Sequence, residues 1–526
     1  MTRKKLPIGI QTFEKIREDD YYYVDKTRFI LQLIDEGTHY FLSRPRRFGK
    51  SLLLDTIGEL FAGNETLFQG LYCHDRWDWS KRYPVIRISF GGGVVRSVAD
   101  LERRILALLR TNRENLGLSC SDETDIPGCF AELIQNAAKK AGERVVVLID
   151  EYDKPILDNI TNPALAAEIR HGLRNLYSVI KDSDAHIRFT FLTGVSKFSK
   201  VSLFSGLNNL QDITVDKRYS ALCGYTAEDV DKIFAPELEG LDREQMREWY
   251  NGFNWMGEPV YNPFDLLLLF STREFKPFWF ETGTPTFLID ILTERGFFAP
   301  DFERLHASEA LLSTFDVNNI ATVALLWQTG YLTLNGSRQQ GARIEYALKY
   351  PNLEVKSSLN DALLKGLVND GMLAEQAQSR FYDLLSANDF TGLKTHFESL
   401  YASIPNDWCR NNPIAQYEGF YASVFYSHIA ALGLDIILED VTHQSRIDMT
   451  VRFNEQIYLF EFKVVELAPE GRAIQQLKDK RYADKYRSLN QPIHLIGVEF
   501  SKDSRTVVGF DLESIESISK IGKDSV

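Results

Sequence analysis

The sequence is poor in the features that staple small secreted domains or anchor a chain in lipid. Its five cysteines in 526 residues, Cys73, Cys120, Cys129, Cys223 and Cys409, are odd in number, scattered, and contain no C-x-x-C pair. Neither a disulfide framework nor a structural zinc site arises from such spacing, and a reducing cytoplasm is the expected compartment. Long apolar runs are also missing. Pro263 to Phe270 is among the longest, far short of the roughly 18 residues a membrane span needs. Met1 to Asp20 mix charged residues with short apolar pieces, so no secretory segment is expected there. The absence of a fixed-period repeat and of low-complexity tracts excludes solenoids, propellers and disordered arrays. Positive charge is not in excess either: 60 Lys plus Arg against 73 Asp plus Glu give −13. That balance argues against coating nucleic acid by bulk charge, while leaving a local basic groove open.

What is present is enough apolar material, 44% of residues, for about three domains at roughly 150 residues each. Between Tyr40 and Thr193, short apolar runs alternate with amphipathic stretches, the pattern of βαβ units on a mainly parallel sheet. Strands are expected at His39–Ser43, Pro84–Phe90, Arg144–Ile149 and Ile187–Thr193. A helix is expected at Ser51–Phe61, with Leu53, Ile57, Leu60 and Phe61 on one face. From about Gly224 the text becomes mostly helical as far as about Leu326, opening on Thr226 as an N-cap. Its aromatics (Trp249, Tyr250, Phe253, Trp255, Phe278, Trp279 and Phe280) read as core. A helical connector from roughly Ser357 to Ile404 leads to turn-rich text and then to an αβββαβ pattern. The expected domains are 1–223, 224–350 (a helical lid or winged-helix-like region), 351–410 (connector) and 411–526.

The first strand runs directly into Ser43-Arg44-Pro45-Arg46-Arg47-Phe48-Gly49-Lys50-Ser51 and a helix. A strand, a tight loop and a helix start ending in Gly-Lys-Ser suit a nucleoside triphosphate. Backbone N–H groups at the positive helix end meet the phosphates, with a Lys for their charge and a hydroxyl for Mg²⁺. Arg46, Arg47, Phe48, Gly49, Lys50 and Ser51 are therefore the candidate ATP contacts. By default Arg46 and Arg47 are plain exposed charges, and beside a phosphate loop they are also candidates to touch the nucleotide phosphates or a neighbouring subunit. Arg44 stands where such loops usually begin with glycine. The strand Val145–Ile149 ends in Asp150-Glu151, which assigns Asp150, with Ser51, to Mg²⁺ and Glu151 to the attacking water. Thr193 ends the next strand, as a γ-phosphate sensor or as an ordinary turn.

Near the other end, Arg446 to Lys463 reads as a β-hairpin turning at Asn454-Glu455. That turn sets Asp448 opposite Glu461, their Cβ atoms about 5 Å apart. Two carboxylates so placed repel unless a cation bridges them, and Mg²⁺ or Mn²⁺ is the natural choice. Alternation puts Lys463 on the face of Glu461, where an ammonium stabilises the phosphate under attack. Glu418, at the start of a helix, is a further candidate metal ligand. Arg472 to Arg487 holds six basic and two acidic residues, a local net charge of +4, and suits a nucleic-acid backbone. The alternative for each of these residues is a solvent-facing hairpin with a surface ion pair.

These residues also carry a resemblance. Tyr23-Val24-Asp25-Lys26-Thr27, Arg44 to Ser51, Asp150-Glu151-Tyr152-Asp153-Lys154-Pro155, Trp249 to Phe253, Tyr261-Asn262-Pro263, Gln328 to Leu332 and Tyr350 to Val355 resemble the bacterial AAA-ATPase-like family. In that family the loop also tends to read Arg-Pro-Arg-Arg-Phe-Gly-Lys-Ser. The tail resembles the PD-(D/E)XK nuclease domain usually fused to it. The resemblance implies an α/β protein: a P-loop NTPase domain (parallel sheet with flanking helices), a helical middle region and a restriction-endonuclease-like C-terminal domain. It assigns Asp448, Glu461 and Lys463 as metal and catalytic residues, Glu418 as an auxiliary acid and Gln476 as a helix glutamine near the site. Asp448 follows Ile447 where the motif has proline. The implied protein binds ATP, and is expected to hydrolyse it, to control a Mg²⁺- or Mn²⁺-dependent nuclease, with DNA favoured over RNA, no membrane partner and a homo-oligomer compatible with the family. Mobile-element or anti-phage biology is the implied setting. The rival expectations are a nucleotide-dependent switch whose nuclease-like domain binds without cutting, and a nuclease indifferent to nucleotide.

Overall fold

The computed structural model describes residues 3–197, 209–279, 288–289, 291–292, 302, 305–312, 321–368, 371–402, 418–442, 445–504 and 506–516. The chain forms two compact units, Met1–Gly283 with Leu305–Asn352, and Thr284–Arg304 with Leu353–Val526.

The first unit is organised by a parallel sheet of β1 (His39–Ser43), β2 (Val85–Ser89), β3 (Val145–Asp150), β4 (Ile187–Gly194) and β5 (Gln211–Asp212), in the order β2-β3-β4-β1-β5. Four of these are the predicted strands to within a residue at either end. β3 reads as an unbroken apolar run because it is covered on both faces; Val145 to Val147 and Ile149 have no exposed surface. Helices Val98–Leu116, Ile126–Ala141 and Pro163–Asp182 pack on one another, and Lys50–Ala62 packs on β2 and β3. Lys50–Ala62 is bracketed by Gly49 (φ 85°) and Gly63 (φ 77°), both left-handed. Gly63 closes the helix with its N–H on the Glu59 and Leu60 carbonyls.

β4 lies between β1 and β3 in the sheet, so the ends carrying the phosphate loop, Thr193 and Asp150-Glu151 are adjacent along one carboxyl edge. Thr226 does cap the helix Ala227–Ile233, through a reciprocal box with Asp229. The middle region is helical as expected, and strands join it mainly past Leu326, where the helical text ends. β6 (His306–Ser308), β7 (Thr333–Gln340) and β8 (Arg343–Lys349) form an antiparallel sheet in the order β6-β8-β7. β7 has six exposed residues in succession, so no alternation of apolar and polar side chains marks it.

In the second unit, helices Leu353–Val368, Gly371–Ser386 and Phe390–Ala402 precede the helix Glu418–Ala431. A mixed sheet follows, ordered β13-β12-β11-β10-β9, of β9 (Asp435–Val441), β10 (Arg446–Phe453), β11 (Gln456–Val465), β12 (Ile493–Ser501) and β13 (Val507–Ile515). β13 adds an antiparallel edge strand to the expected αβββαβ pattern. The β10–β11 hairpin turns at Asn454 (φ 48°) and Glu455 (φ 58°), both left-handed as a tight two-residue turn demands. Phe460 and Phe462 point to the helix Glu418–Ala431, each ring about 5 Å from Phe425. The alternate residues Ile457 and Leu459 pack with Leu477 of the helix Arg472–Asp479. That division of faces directs Glu461 toward the second helix.

Candidate functional site

The phosphate loop departs from a glycine-led loop in a specific way. Arg44 turns inward and is fully buried, its guanidinium donating to the carbonyls of Ser43 (2.9 Å), Thr214 (2.8 Å) and Tyr219 (3.2 Å) and lying 4.0 Å from the centre of the Trp255 ring. Burial lowers its pKa to about 10, which leaves it charged at neutral pH. Arg44 is thus a strut beneath the loop. It adds no charge to the phosphate-facing side, contrary to its sequence position in a basic run. Restoring the usual glycine with Arg44→Gly is expected to destabilise the protein by about 3 kcal/mol or more, since three buried carbonyls lose their donors and a cavity opens beside Trp255. Urea denaturation measures that loss.

The remaining loop residues are divided between support and access. Phe48 is buried edge-on against Phe253 (4.7 Å) and Trp255 (5.5 Å), so only its backbone faces a ligand. Trp279 donates its indole N–H to the Arg46 carbonyl at 3.2 Å. Pro45 packs so closely on Gly330 that a Cβ there would come within 2.7 Å of the proline ring. Of the aromatics read as plain core, Tyr250, Phe253, Trp255, Phe278 and Trp279 are buried and Trp249 is half-buried, and Phe253, Trp255 and Trp279 also carry the loop. Arg46 and Arg47 are exposed, Arg47 lying 4.5 Å over the Phe264 ring in a left-handed conformation (φ 69°).

Lys50 Nζ is buried and donates to the Arg44 and Pro45 carbonyls, both at 2.9 Å. Burial lowers its pKa, and Asp150 partly opposes that effect. Asp150 joins the start of the loop helix to the neighbouring strand end: Ser51 Oγ donates to one carboxylate oxygen at 2.6 Å and Thr193 Oγ1 to the other at 2.7 Å. A hydroxyl beside a carboxylate at a helix start suits a Mg²⁺–triphosphate, so these residues fit that ligand. Glu151 sits next to them at φ 50°. Burial, then repulsion from Asp150, raises its pKa, which suits a proton acceptor.

Asp153 and Tyr152, whose importance no spacing announced, fix the strand end beside this cluster. Buried Asp153 accepts from the N–H groups of Val195 (3.1 Å) and Ser196 (2.6 Å), and the Tyr152 hydroxyl donates to the Ser196 carbonyl at 3.0 Å. Gly194 permits this approach, because a Cβ there would lie 2.5 Å from both side chains.

In the second unit the hairpin has the predicted register, with ladder pairs from Phe453↔Gln456 to Met449↔Phe460. One step beyond, Asp448 accepts the Phe462 N–H at 2.8 Å, so its carboxylate is fixed to the strand that carries Glu461. Glu461 is fully buried, and a single oxygen, Oε1, receives both Lys463 Nζ (2.9 Å) and Gln476 Nε2. Lys463 also donates to the Phe462 carbonyl at 2.8 Å. Asp448, Glu461, Lys463 and Gln476 are therefore brought together. Glu418 begins its helix, but its side chain lies outside the described residues, as does Phe280. Among the described residues no group of three His, Cys, Asp or Glu side chains converges as a metal cage. Two carboxylates are nonetheless the donor set with which Mg²⁺ or Mn²⁺ is commonly held, water completing the shell.

A residue missed in the sequence holds this site in place. Glu499 on β12 is fully buried and accepts the N–H groups of Glu470 (2.5 Å), Gly471 (3.0 Å), Arg472 (2.5 Å) and Ala473 (3.2 Å), anchoring the helix that presents Gln476. Gly497 lets that helix seat against β12, since a Cβ there would lie 2.3 Å from the Ile474 nitrogen. Burial pushes the Glu499 pKa up, but the four backbone donors together outweigh it and hold the carboxyl below 4.5. Its contribution to stability is thus present above the ordinary carboxyl range and lost as pH falls through the lower folded value. Glu499→Gln is expected to cost about 2 kcal/mol at neutral pH, with the gap to wild type closing on acidification. Melting curves between pH 7 and strongly acid buffer check this.

The basic ridge after β11 is weaker than its local net charge of +4. Lys478 pairs with Glu513, Lys485 with Asp440, Arg472 with Glu470, and Arg481 and Arg487 with Asp484. Glu513, Asp440 and Glu470 lie outside the counted window but beside it in space. Asp440 is buried and also accepts from Thr450 and Tyr486, which holds Lys485, whereas the exposed pairs contribute roughly 0–1 kcal/mol each and their cations exchange partners readily.

Comparison with known proteins agrees with this division. Residues 7–204 match the model described as "Predicted AAA-ATPase", and residues 416–510 match the PD-(D/E)XK nuclease superfamily. A protein of Azotobacter chroococcum mcd 1, described as "Uncharacterized protein in vnfD 5'region", is 67% identical over 516 residues, covering 98% of this chain and 100% of that protein. No helix among the described residues is long and apolar enough to cross a membrane. The chain belongs to the AAA-ATPase-like family and carries a PD-(D/E)XK nuclease superfamily domain in its C-terminal part.

Proposed function

We propose that this chain is a metal-dependent phosphodiesterase acting on nucleic acid, DNA in preference to RNA, under the control of ATP bound and hydrolysed by its first unit. The observation that carries this reading is the meeting of Lys463 and Gln476 on one oxygen of buried Glu461, with Asp448 tied to the same strand. Asp448 and Glu461 would hold the divalent cation, with Glu418 as a further ligand. When bound, that cation supplies Lewis-acid polarisation of a phosphoryl oxygen. The Lys463 ammonium offsets charge that develops on the phosphate, and Gln476 orients Glu461.

At the other site, Lys50 and the loop N–H groups would bind the phosphates, Ser51 and Asp150 would hold Mg²⁺, Thr193 orients Asp150, and Glu151 would accept the proton of the attacking water. Cytoplasmic mobile-element or anti-phage work is the setting this reading favours. Incubating full-length protein with labelled DNA and RNA and Mg²⁺ or Mn²⁺ tests it: wild type cuts, Lys463→Ala does not. Equal behaviour of the two proteins in every assay would remove the nuclease and leave the nucleotide switch.

A further inference from the structure

One strongly charged feature belongs to neither site. The loop after β2 and the helix Val98–Leu116 enclose a groove of about 720 Å³ lined by Gly92, Gly93, Arg96, Arg103, Arg104 and Arg110. Four arginines face one carboxylate there, Asp100, in a protein whose net charge is −13. Asp100 is engaged by Arg103, and Arg110 is only 4.0 Å from Glu123, which also pairs with Arg113 at 2.9 Å. The Arg96 guanidinium makes no hydrogen bond or ion pair among the described residues. Arg96, Arg103 and Arg110 recur every seven residues and are all exposed. Arg103 and Arg110 stand seven residues apart on the helix, about 10 Å at 1.5 Å per residue, and Arg96, in the loop just before the N-cap Ser97, extends the row past the helix start.

Such a row suits a linear polyanion. Arginine forks match phosphate oxygens in pairs, and guanidinium planes stack on bases. The opposite wall is glycine backbone, with Gly93 in the left-handed region (φ 74°) and Val94 58% exposed beside it. Gly92 keeps Arg104 in place, since a Cβ there would lie 2.8 Å from its Nη2.

We propose that this groove binds the phosphodiester backbone of a nucleic-acid single strand, and that binding there is felt at the ATP site. The choice of nucleic acid as partner rests on the function proposed above. The connection is short. A Cβ on Gly91 would lie 3.3 Å from Glu151 Oε2. Lys154, three residues beyond Glu151, donates to the Gly93 carbonyl at 2.7 Å, and Asn159 donates to the Val95 carbonyl at 2.7 Å. A strand that moves the loop therefore moves the surroundings of Glu151.

The test measures binding of a fluorescent thymidine oligonucleotide of about 20 nucleotides, long enough to span several phosphate contacts. It uses full-length protein in EDTA across a salt series, followed by ATP hydrolysis with and without the oligonucleotide in Mg²⁺. The Arg96→Glu/Arg103→Glu/Arg110→Glu variant is expected to bind at least tenfold more weakly. Its log-affinity slope against log salt should be shallower by about 2, the value for three lost phosphate contacts to a single strand. Oligonucleotide should raise hydrolysis several-fold in wild type and leave the variant unchanged. The triple alanine variant, mild at two exposed helix positions and one exposed loop position, should fall between them with unaltered melting.

Equal affinity and equal salt slope in wild type and charge-reversed protein would overturn the proposal. So would polyglutamate binding as tightly as the oligonucleotide and with the same loss in the variant, because the partner would then be an acidic protein. Groove variants that bind like wild type, in a protein whose cleavage still depends on Lys463, remove the groove and keep the nuclease. Lost binding in the groove variants, in a protein whose Lys463→Ala variant behaves like wild type in every cleavage assay, removes the nuclease and keeps the groove.

Discussion

Lys463→Ala is expected to lower phosphodiester cleavage by about 10³-fold or more, because it removes the only ammonium among the described residues that touches Glu461. A merely structural reading of Lys463 predicts a different result. Its side chain is 23% exposed and donates to Glu461 and to the Phe462 carbonyl, so a structural lysine would reveal itself as lost stability with activity following in proportion. Asp448→Asn separates the two readings. The amide oxygen still accepts the Phe462 N–H, which preserves the strand contact seen at 2.8 Å, while the charge needed to hold a cation is gone. Cleavage by Asp448→Asn should fall about 100-fold or more with melting nearly unchanged, and higher Mn²⁺ should restore part of it. Single-turnover cleavage at several Mn²⁺ concentrations, beside thermal melting, is the measurement.

The second large effect lies at the phosphate loop, where Lys50→Ala and Glu151→Gln should part company. Lys50 Nζ is buried at the loop's carbonyls and, unlike the Arg44 strut, stands beside Asp150 at the phosphate site. Its loss should weaken ATP binding about 100-fold, near 3 kcal/mol. Glu151→Gln keeps the shape of the side chain and should bind ATP as wild type does, while hydrolysis falls about 100- to 1,000-fold through loss of the base. The raised pKa of Glu151 fixes the sign of the pH dependence. Burial, then Asp150, favours the protonated form, so hydrolysis should rise with pH through a value above 4.5 and then level off. Glu151→Gln should lack that limb. Nucleotide titration and phosphate release over a pH series measure both quantities.

The features legible in the sequence are those whose partners are near in sequence or fixed by periodicity. The phosphate loop needs only a strand, a Gly-Lys-Ser and a helix in succession. β3 is apolar throughout because neither face meets water. The hairpin register followed from a turn that must be centred on Asn454-Glu455, and the observed ladder has it. What stayed hidden depends on residues distant in sequence. Arg44 looked like one more loop cation, but its acceptors are Thr214 and Tyr219 and its stacking partner is Trp255. Glu499 carries no motif or spacing that marks it, because its four donors lie in the segment Glu470 to Ala473. The positive count over Arg472 to Arg487 omitted Glu513 and Asp440, which fold back onto it. The three-stranded sheet β6-β8-β7 escaped because β7 is solvent-exposed over most of its length, which removes the alternation that identifies a half-buried strand.

The account's central claim is that nucleotide held at Lys50 controls a cation-dependent cut made at Asp448, Glu461 and Lys463. It is tested most directly by timing the cleavage of end-labelled DNA by full-length protein in Mg²⁺, with and without ATP, for wild type, Lys50→Ala and Lys463→Ala. The account predicts that ATP changes the wild-type rate several-fold, that Lys50→Ala cuts at one rate whether or not ATP is present, and that Lys463→Ala does not cut at all. An ATP effect that survives in Lys50→Ala, or cleavage that survives in Lys463→Ala, would contradict it.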